Sequence, residues 1–268
     1  PYDTIGLSAG ASAIIEVSSF MLANPGDVAG IPAPSYPMYT NDLGVKSGIV
    51  RFDLQTHFEI KEIGSGAPVK VELLDKTWDE LKVQGKCFKL LVLSSPDNPT
   101  GCIYTEHELR KLAKWCIQHE VHMIVNEIYG LSLIDTQDDV LKQDYSMEGA
   151  YSSFAKLMNE LNSDYLHLWY AFSKDFAMSG LRIGIVHSLN KAFMKGLGNV
   201  NIPHMVSNFT QWLVGAMLKN TDFIEEYILE NKKRLTQSYK LMVKTLRKHD
   251  IPYVPSRGGF FLWMDLSK

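Results

Sequence analysis

Apolar positions along the chain fall into two kinds of run. Near-continuous stretches such as Phe88–Leu93 and Val121–Val125 have the character of strands covered on both faces of a parallel sheet. Val28–Ala33, Gly44–Asp53, Tyr165–Phe172, Leu181–His187 and Gly258–Leu266 are read as further strands. Between them apolar residues recur at helical spacing. A turn at Gly10–Ala13 opens a helix that runs to Ala23 and closes at Asn24-Pro25-Gly26. Thr105 with Glu108 forms a capping-box signature for a helix through about His119. Further helices are expected over Lys76–Val83, Lys191–Gly196, from about Pro203 to Lys219 and from about Asp222 to His249. Phe58–Leu74 is less regular, with a hairpin expected around Gly64-Ser65-Gly66, and Gln137–Ser163 reads as a polar loop followed by a helix.

Strands alternating with helices give an α/β fold with a doubly wound, mainly parallel sheet. Ligands of such sheets sit beyond the carboxyl ends of the strands. Asn98, Asn126, Tyr129 and Lys174 all fall just after expected strands. That shared placement marks one end of the sheet as the candidate site.

Composition narrows the classes of function. The 268 residues are 46% hydrophobic and 21% charged, with a net charge of −3. This balance argues against nucleic acid or an anionic membrane as the main partner, and no apolar run reaches the length of a membrane span. Cys87, Cys102 and Cys116 are unclustered, so neither a disulfide framework nor a zinc spacing is present, and a reducing, cytoplasmic location is expected. His119 and His122 straddle a helix-to-strand boundary without a third ligand nearby and are read as surface and loop histidines rather than a metal pair. The chain opens at Pro1 without an initiator methionine and stops just after an apolar run. Both ends are read as cut, so targeting is not excluded by the lack of a signal.

The segment Tyr170–Gly184 carries the chemistry. Lys174 lies between Ser173 and Asp175, with Arg182 eight residues on and small residues between. A lysine in a dry pocket forms Schiff bases with carbonyls, and an arginine holds a phosphate by paired charge-assisted hydrogen bonds. Pyridoxal phosphate calls on both; the bland reading of each is a solvated surface cation. At Gly10-Ala11-Ser12-Ala13 a helix start with small residues suits a phosphate, or is plain capping. Tyr36, held between Pro34 and Pro37, stacks on a flat ring or packs. Neither a Walker nor a dinucleotide glycine fingerprint appears, which disfavours a nucleotide-binding protein.

Taken together, AGAS at 9–12, PSYPMY at 34–39, NPTG at 98–101, NEIY at 126–129, SKD at 173–175, SGLRIG at 179–184 and GGFFLWMDL at 258–266 resemble the fold-type-I enzymes of the class I/II aminotransferase superfamily. The likeness is nearest to 1-aminocyclopropane-1-carboxylate (ACC) synthases and their animal ACC synthase-like relatives. The resemblance implies pyridoxal 5'-phosphate as cofactor, an amino acid as substrate and a homodimer. It implies Lys174 as the Schiff-base lysine and the base that moves the α-proton, followed by transamination or elimination. Arg182, Ser173, Ser12 and the Ala11 backbone would hold the phosphate, Tyr36 would stack on the ring, and Asn98 and Tyr129 would bond its phenolic oxygen. It further implies a large cofactor domain over residues 1–250 and only the start of a small domain over 251–268. The substrate-carboxylate arginine and a tyrosine from the neighbouring subunit are expected outside the chain.

Two departures cut against full activity. The family's acidic partner of the pyridine nitrogen falls at Asn126, which carries no charge to hold the nitrogen's proton. Glu127 is adjacent but is expected to point to the other side of the strand. Ala171 stands where ACC synthases usually place a phosphate-binding serine. The alternative reading is therefore a catalytically impaired member that keeps the fold as a binding or scaffold protein.

Overall fold

The computed structural model describes residues 2–56, 69–145 and 149–267. The hairpin expected around Gly64–Gly66 lies outside them. Seven strands form a single sheet, β1 (Ile5–Ser8), β2 (Val28–Ala33), β3 (Val50–Gln55), β4 (Phe88–Ser94), β5 (His122–Asn126), β6 (Leu166–Ala171) and β7 (Gly184–Ser188), in the order β1-β7-β6-β5-β4-β2-β3. The five strands β6, β5, β4, β2 and β3 run parallel. β7 pairs antiparallel with β6, and β1 antiparallel with β7. The sheet is thus mixed but mainly parallel.

Helices α1 (Ala11–Leu22), α2 (Tyr39–Gly44), α3 (Val71–Val83), α4 (Glu106–Gln118), α5 (Phe154–Leu161), α6 (Phe172–Asp175), α7 (Lys191–Val200), α8 (Asn208–Leu218) and α9 (Thr221–Lys248) follow. Those beside the sheet divide between its faces, and the division explains the near-continuous apolar strands. Leu91, Leu93, Met123, Val125, Leu166 and Leu168 face one way and pack with Leu74, Leu109, Trp115, Phe154 and Leu157 of α3, α4 and α5. Leu90, Val92, Ile124 and Trp169 face the other way, against Ile14, Val17, Tyr39, Leu43 and Phe193 of α1, α2 and α7. Successive residues of a strand point to opposite faces, so a sheet covered twice favours apolar residues on both.

Local chemistry sets the helix ends. Thr105 Oγ1 accepts from Glu108 N, and Glu108 Oε2 accepts from Thr105 N at 2.8 Å, completing the capping box of α4. Asn190 Oδ1 caps α7 through Phe193 N, and Asn220 Oδ1 caps α9 through Phe223 N. Ser207 Oγ accepts from Thr210 N at 3.1 Å, so α8 starts afresh there. The single helix expected from Pro203 is instead a 3-10 turn at Ile202–His204 followed by α8.

Other expectations need correction. Tyr39–Gly44 is helical, and the strand expected from Gly44 begins only at Val50. Gly258–Leu266 makes no strand; its described bridges are Leu133 with Gly258 and Tyr253 with Met264. Its backbone bonds to a loop, as Gly259 N does to Ser132 O. His122 is a buried β5 residue, not a surface histidine, and its Nδ1 lies 3.0 Å from His167 Nε2. His167 Nδ1 lies 2.9 Å from Ser188 Oγ, which carries the chain of polar contacts across to β7.

Candidate active site

The nine residues singled out in the sequence (Ala11, Ser12, Tyr36, Asn98, Asn126, Tyr129, Ser173, Lys174 and Arg182) all line one cavity of about 330 Å³. It lies past the carboxyl ends of β4, β5 and β6. Asn126 ends β5, Tyr129 follows three residues on, Asn98 sits in the loop after β4, and Ser173 and Lys174 lie on α6, which continues β6.

One pole is built for an anion. α1 begins at Ala11 behind Gly10, which has φ 95° and supplies no capping side chain. Its first N–H groups are therefore unclaimed by a cap, and a helix N-terminus of this kind attracts negative charge. Arg182 lies across it, Nη1 donating to Ser179 O at 3.0 Å and Nη2 to Ala9 O at 3.3 Å. Arg182 itself has φ 51°, a left-handed conformation that a non-glycine residue adopts only when the surroundings impose it. The hydroxyls of Ser12, Ser173 and Ser179 complete this wall.

The opposite pole is aromatic and amide-rich. Tyr36 is half-buried and meets Tyr39 edge-on, ring centroids 5.4 Å apart. Arg51 anchors the Tyr36 loop, donating to Ser35 Oγ at 2.8 Å and to Tyr36 O at 3.4 Å. Tyr129 is buried and takes Phe261 against its edge at 5.0 Å. Asn126 Nδ2 donates to the Tyr39 hydroxyl at 3.0 Å, and Asn126 Oδ1 accepts from Ile128 N. Glu127 turns to the other face, where it accepts from Ser153 Oγ at 2.7 Å and from Phe154 N at the start of α5. It cannot substitute for Asn126.

The lysine turn is held from below. Asp175 is buried; its carboxylate accepts from Ser132 Oγ at 2.7 Å, Leu131 N at 3.0 Å and the Tyr170 hydroxyl at 3.2 Å. One side chain thereby fixes α6 to the loop that follows Tyr129. Burial raises its pKa to about 6 despite those donors. Lys174 is exposed at the cavity, and no hydrogen bond or ion pair engages its amine among the described residues. That corrects the expectation of a dry, buried lysine: α6 is a single turn at the open end of the sheet. Ala171 is buried with Ile128 and Tyr129 and is not part of the cavity wall.

Sequence reasoning missed Tyr39, Asp42, Ser94, Ser179 and Phe261, which also line the cavity. Ser179 belongs to the quoted SGLRIG motif and Tyr39 to PSYPMY, so both were within reach. Ser94 is a strand end like any other until Tyr39 is seen above it.

The model of the Aminotransferase class I and II family matches residues 1–268. Among curated relatives, 1-aminocyclopropane-1-carboxylate synthase 2 of Oryza sativa subsp. japonica is 30% identical over 99% of this chain and 52% of its own. 1-Aminocyclopropane-1-carboxylate synthase 6 of Arabidopsis thaliana is 30% identical over 98% of this chain and 50% of its own. The chain spans about half the length of the curated relatives it matches. Among solved structures, a double mutant of Thermus thermophilus aspartate aminotransferase superposes with a TM-score of 0.82 at 21% identity, over 99% of this chain and 62% of that one. The aromatic aminotransferase of Pyrococcus horikoshii gives 0.75 at 23% identity, over 96% and 61%. At these identities the structural likeness speaks for the fold.

Proposed function

The chain belongs to the class I and II aminotransferase family, and from that premise we propose that its cavity binds pyridoxal 5'-phosphate for chemistry on an amino acid. The observation that carries the reading is the convergence of an exposed lysine, an uncapped helix N-terminus with an arginine across it, and an aromatic, amide-lined pole in one cavity. The donor set fits the cofactor. A phosphate needs several donors and positive charge, which Arg182, Ser12, Ser173 and the Ala11 backbone offer. An aromatic ring needs a flat neighbour and polar groups at its edge, which Tyr36, Asn98, Tyr129 and Asn126 offer.

Lys174 is the attachment point in this reading, and its amine is placed to take the α-proton of a bound amino acid and to return it. When bound, the cofactor supplies an electron sink for the carbanion left by proton removal. Tyr36 and Phe261 give one side of the cavity an apolar lining, while Asp175 ties the lysine turn to the loop after Tyr129. Transamination and elimination both begin from that proton transfer.

A homodimer is part of the proposal. Phe209, Trp212 and Met205 are 70%, 68% and 63% exposed, an apolar surface of the kind a second copy covers. The cytoplasm is the proposed compartment, in keeping with three free cysteines. The absorbance spectrum, with and without added amino acids, tests the cofactor reading. A visible band that shifts with amino acid is expected, and a colourless protein after incubation with cofactor contradicts it.

A further inference from the structure

Ser94 and Asn126 are the last residues of β4 and β5 and are register partners, so their side chains stand side by side on the α1–α2 face. Tyr39 of α2 reaches between them. Its hydroxyl accepts from Asn126 Nδ2 at 3.0 Å and lies 2.9 Å from Ser94 Oγ. All three residues are buried.

The direction of this chain is set from one end. Ile128 N donates to Asn126 Oδ1 at 3.2 Å. Turning the amide over would set its NH₂ against that N–H and leave a buried donor unpaired, at a cost of about 1–3 kcal/mol. The NH₂ therefore faces Tyr39. A phenol carries one proton, and burial pushes the Tyr39 hydroxyl up to about 12, so it keeps that proton at neutral pH. Having accepted from the amide, Tyr39 donates to Ser94 Oγ. The second N–H of Asn126 and the hydroxyl proton of Ser94 are left over, and both residues form the cavity wall.

We infer that Tyr39 and Ser94 are positioning residues that hold Asn126 as an N–H donor toward the cavity, so that this corner takes a hydrogen-bond-accepting ligand atom. Resting on the cofactor reading above, the consequence is that a pyridine nitrogen set against Asn126 is bound unprotonated. An aspartate at the same position reverses the chain. Its carboxylate accepts from Ile128 N and from Tyr39, Tyr39 accepts from Ser94, and the ring nitrogen must bring its own proton. Position 126 then decides more than one charge: it decides which way every proton in the corner points.

Nuclear magnetic resonance of the full chain reads the two halves separately. In cofactor-free protein, one Asn126 side-chain N–H signal should lie downfield and return upfield in Tyr39→Phe. Asn126 signals indifferent to Tyr39→Phe would overturn the direction of the chain. After loading with ring-¹⁵N pyridoxal phosphate, the ring resonance should sit at the pyridine position in the native chain and move to the pyridinium position in Asn126→Asp. A pyridinium resonance in the native chain would overturn the inference while leaving cofactor binding intact. Should no labelled cofactor be retained, the cofactor reading and the ring-nitrogen half fail together, and the cofactor-free signals still decide the direction of the chain.

Discussion

Gly10 and Arg182 compete for one volume: a Cβ on Gly10 would stand 2.2 Å from Arg182 Nη2. Gly10 also has φ 95°, a conformation L side chains rarely adopt. The glycine that starts α1 is therefore what lets the guanidinium lie over the helix N-terminus. Gly10→Ala should displace Arg182 and weaken pyridoxal phosphate binding about tenfold or more. Arg182→Ala should cost on the order of 1.5–3 kcal/mol, or about 10–100-fold, the worth of hydrogen bonds to a charged group. Equilibrium titration of cofactor absorbance checks both. Unchanged affinity in both variants would move the phosphate away from this pole.

Asp175 joins the lysine turn to the loop after Tyr129 by accepting from Leu131 N and Ser132 Oγ, and accepts a third bond from the Tyr170 hydroxyl of β6. Asp175→Ala strands those donors and should destabilise the fold by about 3 kcal/mol. Urea unfolding followed by circular dichroism measures this. A loss under about 0.5 kcal/mol, the range of ordinary surface changes, would show that the loop and turn hold without it.

The buried pair His122 and His167 should make the fold acid-sensitive. Burial lowers His122 from 6.5 to about 4, and His167 in the same direction. The unfolded imidazole takes its proton near 6.5 while the folded one refuses it until about 4, so the unfolded state binds more protons in that window and stability falls as pH drops through it. Relative to His122→Gln, the native chain should lose on the order of 2–3 kcal/mol between those limits. Parallel urea midpoints for the two proteins would refute the shift.

Asn126→Asp should raise amino-acid α-proton exchange by about 10²-fold or more, since it returns a charge where negative charge develops on the ring. Exchange of substrate α-deuterium by mass spectrometry reads this directly. Equal exchange in both proteins would remove the electronic argument, and none in either would favour a binding or scaffold role.

Much of this was legible in the chain. The site lies at strand ends, and strands covered on both faces announce themselves as apolar runs, so Asn98, Asn126, Tyr129 and Lys174 could be set at one edge of the sheet from sequence. Thr105 and Glu108 gave α4 its start. What could not be read depends on contacts distant in sequence. Tyr39 looks like a core aromatic on a short helix; only the fold brings its hydroxyl to Asn126, 87 residues on. His122 follows a helix end and reads as a loop residue, because its hydrogen-bond partner His167 is 45 residues away. Gly258–Leu266 is apolar like a strand, yet an apolar segment becomes one only where a sheet edge receives it. The chemistry of Lys174 points to a dry pocket, whereas the side chain is exposed at the cavity.

The central claim is that Lys174 carries pyridoxal phosphate. Borohydride reduction of the cofactor-loaded chain, followed by peptide mapping, tests it most directly. A pyridoxyl adduct on the peptide containing Lys174, absent from Lys174→Ala, is the expected result. An unmodified Lys174 in protein shown to be folded, or an adduct on another lysine, would contradict it.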